Sequence, residues 1–246
     1  MSQTNITLAA ASPSDYLAIA RLESAAFAHE EFGKVALGPH RLTEAAKHAE
    51  AKRLSRPPKL GETNYHTKAV AVIPDGTEEI VGFAGWTACI GRTGSEEEKA
   101  RLGTKESWAQ AEMEKEKDEK VKDEKEYGNA KLRGEAFGKG DEILARATQG
   151  KDYMTLFVLV VLPKYQRKGI GAMLFEHGLK VADEAGLQVV LGASDQGIGL
   201  YKKYGCVEVE RMHLKLWEYA GGEGLGVTTH IFLRRPAALA AASKTL

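Results

Sequence analysis

The sequence has few cysteines, no net charge and no long apolar run. Its two cysteines, Cys89 and Cys206, lie far apart and have no companion ligands at metal-binding spacing. The pattern indicates neither a disulfide framework nor a zinc site, and we expect both thiols to be reduced and buried. The 34 basic and 34 acidic side chains cancel, so no overall field attracts nucleic acid or an anionic membrane. Any basic site must therefore be local.

Membrane and export signals are also missing from the sequence. No stretch approaches the ~18 consecutive apolar residues of a membrane helix. The N-terminal segment, MSQTNITLAA, lacks the basic start and long apolar region of a signal peptide. We therefore expect a cytoplasmic protein. Its 246 residues and 43% hydrophobic content suffice for one large domain, or for a domain with an insertion.

The most informative stretch begins with a nearly continuous apolar run at residues 154–162. The run is too short for a membrane helix and rich in Val and Leu, which predicts a strand buried on both faces. Pro163 ends it, a short basic loop follows, and Gly169 and Gly171 open a segment whose apolar spacing predicts a helix. Strand, basic glycine turn and helix in this order are typical of a phosphate-binding site.

Backbone chemistry explains why such a turn binds anions. The N–H groups of a helix's first turn have no partner within the helix and carry partial positive charge. Glycines at 169 and 171 let an anion approach that backbone, and Lys164, Arg167 and Lys168 add positive charge. An ordinary solvated basic turn is the alternative, because short glycine motifs are weak signals.

Two other phosphate-binding motifs do not fit the sequence. A P-loop requires Gly-Lys-Ser/Thr at the end of its glycine-rich loop, and this loop does not end so. A dinucleotide fingerprint requires a third Gly or Ala where this chain has Leu174. Neither class of site is indicated.

The remaining periodicities predict alternating helices and strands. Helices are expected over 12–28 and about 41–54, and strands over 6–10, 66–73, 79–90, 187–191, 207–217 and 227–233. A turn at residues 74–77 joins the second and third strands as a hairpin. The strands at 154–162 and 187–191 are joined through a helix, which predicts a βαβ unit with parallel strands.

Two glycines interrupt the strand expected at 79–90. Gly82 and Gly85 indicate a bulge, or a place where another group packs close to the backbone. Trp86, next to them, suits a core position and a pocket wall equally well.

Residues 91–150 are densely charged, with acidic and basic side chains interleaved. Acids precede bases by four residues, the favourable order on a helix, at Glu97/Arg101, Glu116/Lys120 and Asp118/Lys122. The pattern predicts one exposed helix, followed by a short second helix over 141–148 that returns to the sheet. This insertion is either a lid over an acceptor site or a solvated segment without chemistry.

Two stretches together resemble the GNAT superfamily of acyl-CoA-dependent N-acyltransferases. The family's acyl-CoA loop, Gln/Arg-x-x-Gly-x-Gly/Ala, is matched at every fixed position by residues 166–171, and its Leu-Tyr-x-Lys-x-Gly element is matched by residues 200–205. Cys206 stands where the family usually has Phe, which changes packing more than chemistry. The resemblance is specific over 153–210 and looser over 5–90.

The resemblance implies a fold of the α/β class, called α+β in some schemes. The expected architecture is a mixed, mostly antiparallel twisted sheet with flanking helices, in which the parallel strands at 154–162 and 187–191 splay apart and hold acetyl-CoA as cosubstrate in the gap. One N-acetyltransferase domain would span residues 1–235, with the charged helical insertion at about 91–150 and a C-terminal tail at 236–246.

The resemblance also implies which residues bind acetyl-CoA. The pyrophosphate would be held by the backbone of Arg167, Gly169, Ile170, Gly171 and Ala172. The pantetheine arm would pair with backbone groups of Leu159 and Val161, since an unpaired strand edge accepts amides as it accepts a peptide strand. The remaining cofactor-binding positions are Gln166, Lys168 and Ser194.

Tyr201 occupies the position where the family has a general acid. The amine of an acceptor would attack the thioester directly, and an oxyanion would form opposite the N–H of Val161. A tyrosine, with a usual pKa near ~10, stays protonated at neutral pH and can protonate a leaving thiolate with a pKa near ~8.5. The alternative is a tyrosine that packs against the sheet with its hydroxyl bonded locally.

The sequence leaves the general base unidentified. The strand at 154–162 carries no carboxylate where many relatives place one, although an alkylammonium with a pKa near ~10 must lose a proton before attack. His66 and His213 are candidates, but histidines in strands are also commonly structural. Glu30 and Glu31, in the loop that borders the acceptor site in relatives, are weaker candidates.

Three functions remain open at this point. The first is an N-acetyltransferase for a small-molecule amine, with no nucleic acid or membrane partner and with a homodimer left open. The second is a protein or peptide N-acetyltransferase, for which the charged insertion would dock the substrate. The third is a non-catalytic acyl-CoA-binding module, which the missing base keeps open.

Overall fold

The computed structural model describes residues 5–73, 76–91 and 124–238. Within these residues the strands are β1 (Ile6–Ala10), β2 (Glu62–Val72), β3 (Glu78–Cys89), β4 (Tyr153–Val161), β5 (Gln188–Ala193), β6 (Val207–Lys215) and β7 (Val227–Arg235). The helices are α1 (Tyr16–Ala26), α2 (Glu31–Leu37), α3 (Glu44–Leu54), α4 (Glu124–Tyr127), α5 (Ala130–Thr148), α6 (Ile170–Glu184) and α7 (Ile198–Lys203). Short 3-10 turns lie at Pro13–Asp15, Pro39–Leu42, Pro163–Tyr165 and Leu216–Glu218.

The strands form one mixed sheet in the order β1-β2-β3-β4-β5-β7-β6. Strands β4 and β5 are parallel and joined through α6, and the other neighbouring pairs are antiparallel. Pairing of β4 with β5 covers only Tyr153–Leu156 against Gln188–Leu191, and beyond it the two strands separate. The predicted fold class and the splayed parallel pair are confirmed.

Helix α6 covers one face of the sheet and forms the larger core with it. Its buried stripe includes Leu174, Phe175 and Leu179. Trp86 from β3 stacks on Phe175 with ring centroids 5.5 Å apart, and Gly178 leaves room for its ring. Trp86 is fully buried, so it occupies a core position and not an exposed pocket wall. We call this side of the sheet the α6 face.

The opposite face carries two separate groups of helices. Helix α1 packs on β3 and β4, with α3 beside it. Helices α2 and α5 pack together, and α5 lies on β5, β6 and β7. Residues 27–30, which join α1 to α2, must therefore cross from the β4 side to the β7 side, over the place where β4 and β5 part. We call this side the α2 face.

Several predicted bounds are wrong. Helix α5 begins at Ala130 rather than near residue 141, because Asn129 caps it by accepting a hydrogen bond from Leu132 N–H (2.9 Å); three glycines at 134–140 hid this helix in the sequence. Helix α2 was not predicted, since Gly33 interrupts its pattern. The helix expected across 97–122 and residues 74–75 of the hairpin turn lie outside the described residues.

Strand β4 is not buried on both faces, as its sequence predicted. Phe157 is 39% exposed, because no β5 residue pairs with β4 beyond Leu156. Its ring lies over Gly85, where the register of β3 with β4 shifts, so the predicted irregularity at the glycines is confirmed. Cys89 and Cys206 are buried, as expected. No helix among the described residues is long and apolar enough to span a membrane.

Candidate active site

The free half of β4 presents backbone groups to the gap between β4 and β5. Leu162 N–H donates to Val81 O (2.9 Å) on the β3 side. Because the polar groups of successive residues in a strand point to alternate sides, those of Val161 and Leu159 point away from β3, toward the gap. The structure thus places both predicted pantetheine-binding residues on an open strand edge.

The turn between β4 and α6 presents N–H groups at the same end of the sheet. Arg167 (φ 62°) and Gly169 (φ 85°) both have left-handed backbone conformations, which turn the chain sharply into α6. The first backbone hydrogen bond of α6 runs from Met173 N–H to Gly169 O (3.0 Å). The N–H groups of Ile170, Gly171 and Ala172 precede it, so they lack acceptors within the helix.

The cations of this turn differ in their availability. Lys164 forms an ion pair with Glu79 (2.8 Å), and that hydrogen bond is the largest cause of the lowered pKa of Glu79. Lys168 Nζ lies 5.1 Å from the centroid of the Tyr165 ring. Arg167 has no ion-pair partner within the described part of the chain, so its charge remains available to a bound anion.

Gln166 connects the turn to the open edge of β4 through a hydrogen bond. Its side-chain Nε2 donates to Val161 O (3.1 Å). The side chain itself is exposed. This bond fixes the position of the phosphate-binding turn relative to the end of β4.

Tyr201 lies where the turn, β4 and α7 meet. A β-carbon on Gly171 would lie 3.8 Å from Leu200 Cδ2 and 3.9 Å from Val161 Cγ2, so α7 borders both the helix start and the strand edge. Tyr201 itself packs edge-on against Phe175, with centroids 5.0 Å apart, and therefore lies on the α6 face.

The electrostatics of Tyr201 favour its protonated form. Burial raises the pKa of Tyr201 strongly, and the neighbouring Cys206 thiol adds to the effect. Burial also raises the pKa of Cys206 to about 11. The Tyr201 hydroxyl has no hydrogen-bond partner within the described residues, so no local acceptor competes for its proton.

Ser194 initiates α7. Its Oγ accepts from Gly197 N–H (3.3 Å), and its carbonyl accepts from the N–H groups of Gly197 (3.0 Å) and Ile198 (3.1 Å). These bonds position the helix that carries Tyr201. The predicted contact of Ser194 with the cosubstrate stays a prediction.

A comparison with protein families decides what this arrangement is. The sequence model of the Acetyltransferase (GNAT) family matches residues 40–206, about two thirds of the chain. The chain belongs to the GNAT family. GNAT enzymes use acetyl-CoA as cosubstrate, and the free β4 edge and the N-terminus of α6 fit its pantetheine arm and pyrophosphate.

Solved GNAT structures share the fold of this acetyltransferase. A histone acetyltransferase HPA2 and related acetyltransferase from Corynebacterium glutamicum superposes with a TM-score of 0.57 at 17% identity, covering 96% of this chain and 98% of that one. Arylalkylamine N-acetyltransferase 2 from Aedes aegypti has a TM-score of 0.53 at 17% identity, with coverages of 94% and 99%. No curated protein matches the sequence.

The structure separates the two histidines proposed as bases in this GNAT chain. His66, on β2, has its Nδ1 2.9 Å from the Tyr16 hydroxyl, and its ring packs edge-on against Phe157 on β4, with centroids 5.8 Å apart. His213 lies on the outermost strand, β6, and its Nδ1 is 3.1 Å from Thr229 Oγ1. His66 thus lies near the free half of β4 with its Nδ1 bonded to a hydroxyl, and His213 lies away from it. Glu30 and Glu31 lie at the crossing between α1 and α2, and partial burial raises the pKa of Glu30 against the effect of Arg41.

A cavity of about 770 Å³ lies on the α2 face. It is lined by α1, α3, residues 37–42 and residues 127–133, and its walls include the exposed apolar side chains Phe27, Leu37 and Leu42. Arg53, which also lines it, holds its guanidinium 5.7 Å from the ring of Phe157. The cavity therefore extends toward the first unpaired residue of β4.

The cavity contains a buried carboxyl group on Glu23. Its Oε1 is buried without a hydrogen-bond partner. Burial and the neighbouring Glu50 raise the pKa of Glu23 to about 8, against the opposing effect of Arg53. Sequence reasoning missed Glu23, because nothing in its local pattern distinguishes it from an exposed helical acid.

Proposed function

We propose that this protein transfers an acetyl group from acetyl-CoA to the amine of a small-molecule acceptor by direct attack on the thioester. The observation that supports the proposal is the convergence, at one end of the sheet, of the open β4 edge, the free N–H groups of α6 and the helix α7, which carries Tyr201. Each would interact with one part of the donor: the strand edge with the pantetheine amides, the N–H groups with the pyrophosphate, and Tyr201 with the leaving sulfur.

The residues have distinct roles in the proposed reaction. The turn at residues 166–172 binds the pyrophosphate through its backbone, with Arg167 adding charge. Leu159 and Val161 pair with the pantetheine arm, and the N–H of Val161 stabilises the oxyanion. Tyr201 donates its proton to the sulfur as the C–S bond breaks, and its raised pKa keeps it protonated until that step.

The cavity supports a small-molecule acceptor. Its volume of about 770 Å³ lies within the range of roughly 300–1,000 Å³ typical of small-molecule sites. Its apolar walls suit the body of an organic amine, and the unpartnered carboxyl of Glu23 offers a polar group for orientation.

Domain organisation and location remain proposals. One domain over residues 1–235 is supported by the continuous sheet, to which both β1 and β7 belong. The insertion at about 91–150 rejoins it through α5, and a C-terminal tail at 236–246 stays a prediction. A cytoplasmic location and a homodimer stay predictions.

The test is thiol release from acetyl-CoA with a panel of acceptors: alkylamines, arylalkylamines, polyamines, arylamines and lysine peptides. We expect turnover of at least one small amine above the background of acetyl-CoA hydrolysis. Preference for lysine peptides would favour a protein acetyltransferase instead. Tight acetyl-CoA binding without turnover of any acceptor would leave an acyl-CoA-binding module and overturn the proposal.

A further inference from the structure

His230 lies beside the gap by the register of the sheet. The pairing of β5 with β7 ends at Ala193 with Ile231. His230 comes directly before Ile231 in the chain, so it is the first residue of β7 beyond the end of the pairing with β5. It therefore lies level with the place where the gap between β4 and β5 is open.

The side chain of His230 is on the face opposite Tyr201. Its ring packs edge-on against Phe32 in the first turn of α2, with centroids 4.8 Å apart. The neighbouring Ile231 packs in the core beneath α6, as the alternation of a strand requires. His230 and Tyr201 thus lie on opposite faces of the sheet.

His230 is also suited to accept a proton. Burial lowers its pKa below the usual value for histidine, and no charged group within the described residues contributes to that shift. Its ring nitrogens have no hydrogen-bond partner there either. His66 and His213, by contrast, are each bonded to a hydroxyl group.

We propose that His230 is the general base that takes the proton of the attacking amine, directly or through one water. This rests on the proposed function. The amine nitrogen forms a bond to the acetyl carbon, and the carbonyl electron pair moves to oxygen. The nitrogen then loses its proton to His230, the C–S bond breaks as the carbonyl re-forms, and Tyr201 protonates the sulfur. The imidazolium releases its proton to solvent, from which the tyrosinate regains one.

In this arrangement the acid and the base lie on opposite faces of the sheet. The thioester lies between them, so amine and leaving thiol do not compete for one proton carrier. The titratable groups on the elements packed around His230 lie before and on α2 (Glu30, Glu31, Lys34), on α5 (Lys131, Arg133, Glu135, Lys139, Asp141, Glu142, Arg146) and on β6 (Glu208, Glu210, Arg211, His213, Lys215). Glu31 and Lys34 are exposed.

The test compares His230→Gln with His213→Gln, a matched change on the outer strand. With an amine that the wild type acetylates, kcat and kcat/KM for acetyl-CoA are measured from pH 5 to 9 at saturating amine. We expect the wild-type rate to fall below an apparent pKa under the usual ~6.5 for histidine. His230→Gln should lower kcat by roughly 100-fold or more and remove that limb, while His213→Gln keeps both.

Binding and stability separate a base from a packing residue. His230→Gln should bind acetyl-CoA with wild-type affinity by calorimetry, with His230→Asn as a second variant if the first does not fold. Equal losses at every pH, with the limb retained, would make His230 structural and overturn the proposal. If the wild type acetylates no amine, both the proposed function and the proposed base are wrong. If the wild type is active and His230→Gln keeps the acidic limb of the pH–rate profile, only the role of His230 is wrong.

Discussion

The proposed donor side of the gap consists mainly of backbone groups, whereas the proposed acceptor side consists of side chains. On the donor side, backbone groups of β4 and α6 face the gap, and their positions follow from one continuous stretch of sequence, residues 159–172. On the acceptor side, Glu23, Arg53, Phe157 and His230 come from α1, α3, β4 and β7. A cosubstrate common to a whole family can be bound by backbone, whereas an acceptor specific to one enzyme is recognised by side chains.

The largest expected effect comes from placing a charge on the donor side. Gly171→Glu puts a carboxylate beside the free N–H groups of α6, where it repels the pyrophosphate. We expect acetyl-CoA affinity, measured by calorimetry, to fall at least roughly 100-fold, since like charges in contact cost several kcal/mol.

Gly134→Glu is the matched control for that substitution. Gly134 lies on α5, and a β-carbon there contacts nothing within 4 Å. It introduces the same charge away from the gap and should leave affinity unchanged. Equal affinity in both variants would show that the backbone of this turn does not bind the donor, and the comparison would fail.

Removing the proposed acid tests a donor-side role that belongs to a side chain. Tyr201→Phe keeps the contact with Phe175 and removes only the hydroxyl. We expect kcat to fall about 10²-fold with little change in the KM for acetyl-CoA, because the proton is transferred in the transition state. Steady-state kinetics measures both parameters.

Tyr204→Phe provides the comparison within the same turn of chain. Tyr204 also packs on Phe175, but its hydroxyl donates to Glu176 (2.6 Å). Its removal should leave kcat unchanged. An unaltered kcat in Tyr201→Phe as well would reduce Tyr201 to a packing residue.

The smallest effect concerns stability on the acceptor side. In the folded chain the pKa of Glu23 is about 8, above its usual 4.5, so the folded state binds the extra proton between these values. Stability from this group is therefore complete below pH ~4.5 and is lost as the pH rises toward about 8. Glu23→Gln should reduce that decline by roughly 1–3 kcal/mol, as measured by urea unfolding at pH 5 and pH 8.

An exposed acid gives the control for this measurement. Glu31→Gln on α2 should leave the pH dependence of unfolding as it is in the wild type. If Glu23→Gln behaves in the same way, then the carboxyl is hydrated, and the cavity does not contain a buried acid.

The strand, turn and helix of the donor side could be predicted from the sequence because their signals are local. The apolar run before Pro163, the glycines of the turn and the element at 200–205 are each recognisable within a few residues, and the family resemblance that they carry implied the splayed strand pair. The sequence also predicted strands β2, β3, β6 and β7 close to their observed bounds, since their patterns alternate clearly.

The acceptor side was predicted poorly for the converse reason. His230 stands in the strand as an ordinary polar residue, and only the end of the β5–β7 pairing shows that it borders the gap. The base candidates chosen from sequence, His66 and His213, were placed by type alone. The helix at 130–148 was predicted too short, because its three glycines lower the helix propensity of its first half. Burial of Leu132 and Ile143 against the sheet stabilises the helix in the folded chain.

The hydrogen bond from Gln166 to the carbonyl of Val161 has a mechanical consequence. In the proposed reaction it connects the turn that would bind the pyrophosphate to the residue that would lie opposite the thioester carbonyl. Contacts made far from the reacting carbon would then help to align it, and binding free energy from the adenosine diphosphate portion would become available for orienting the thioester. A shortened donor that ends at pantetheine would lose speed as well as affinity.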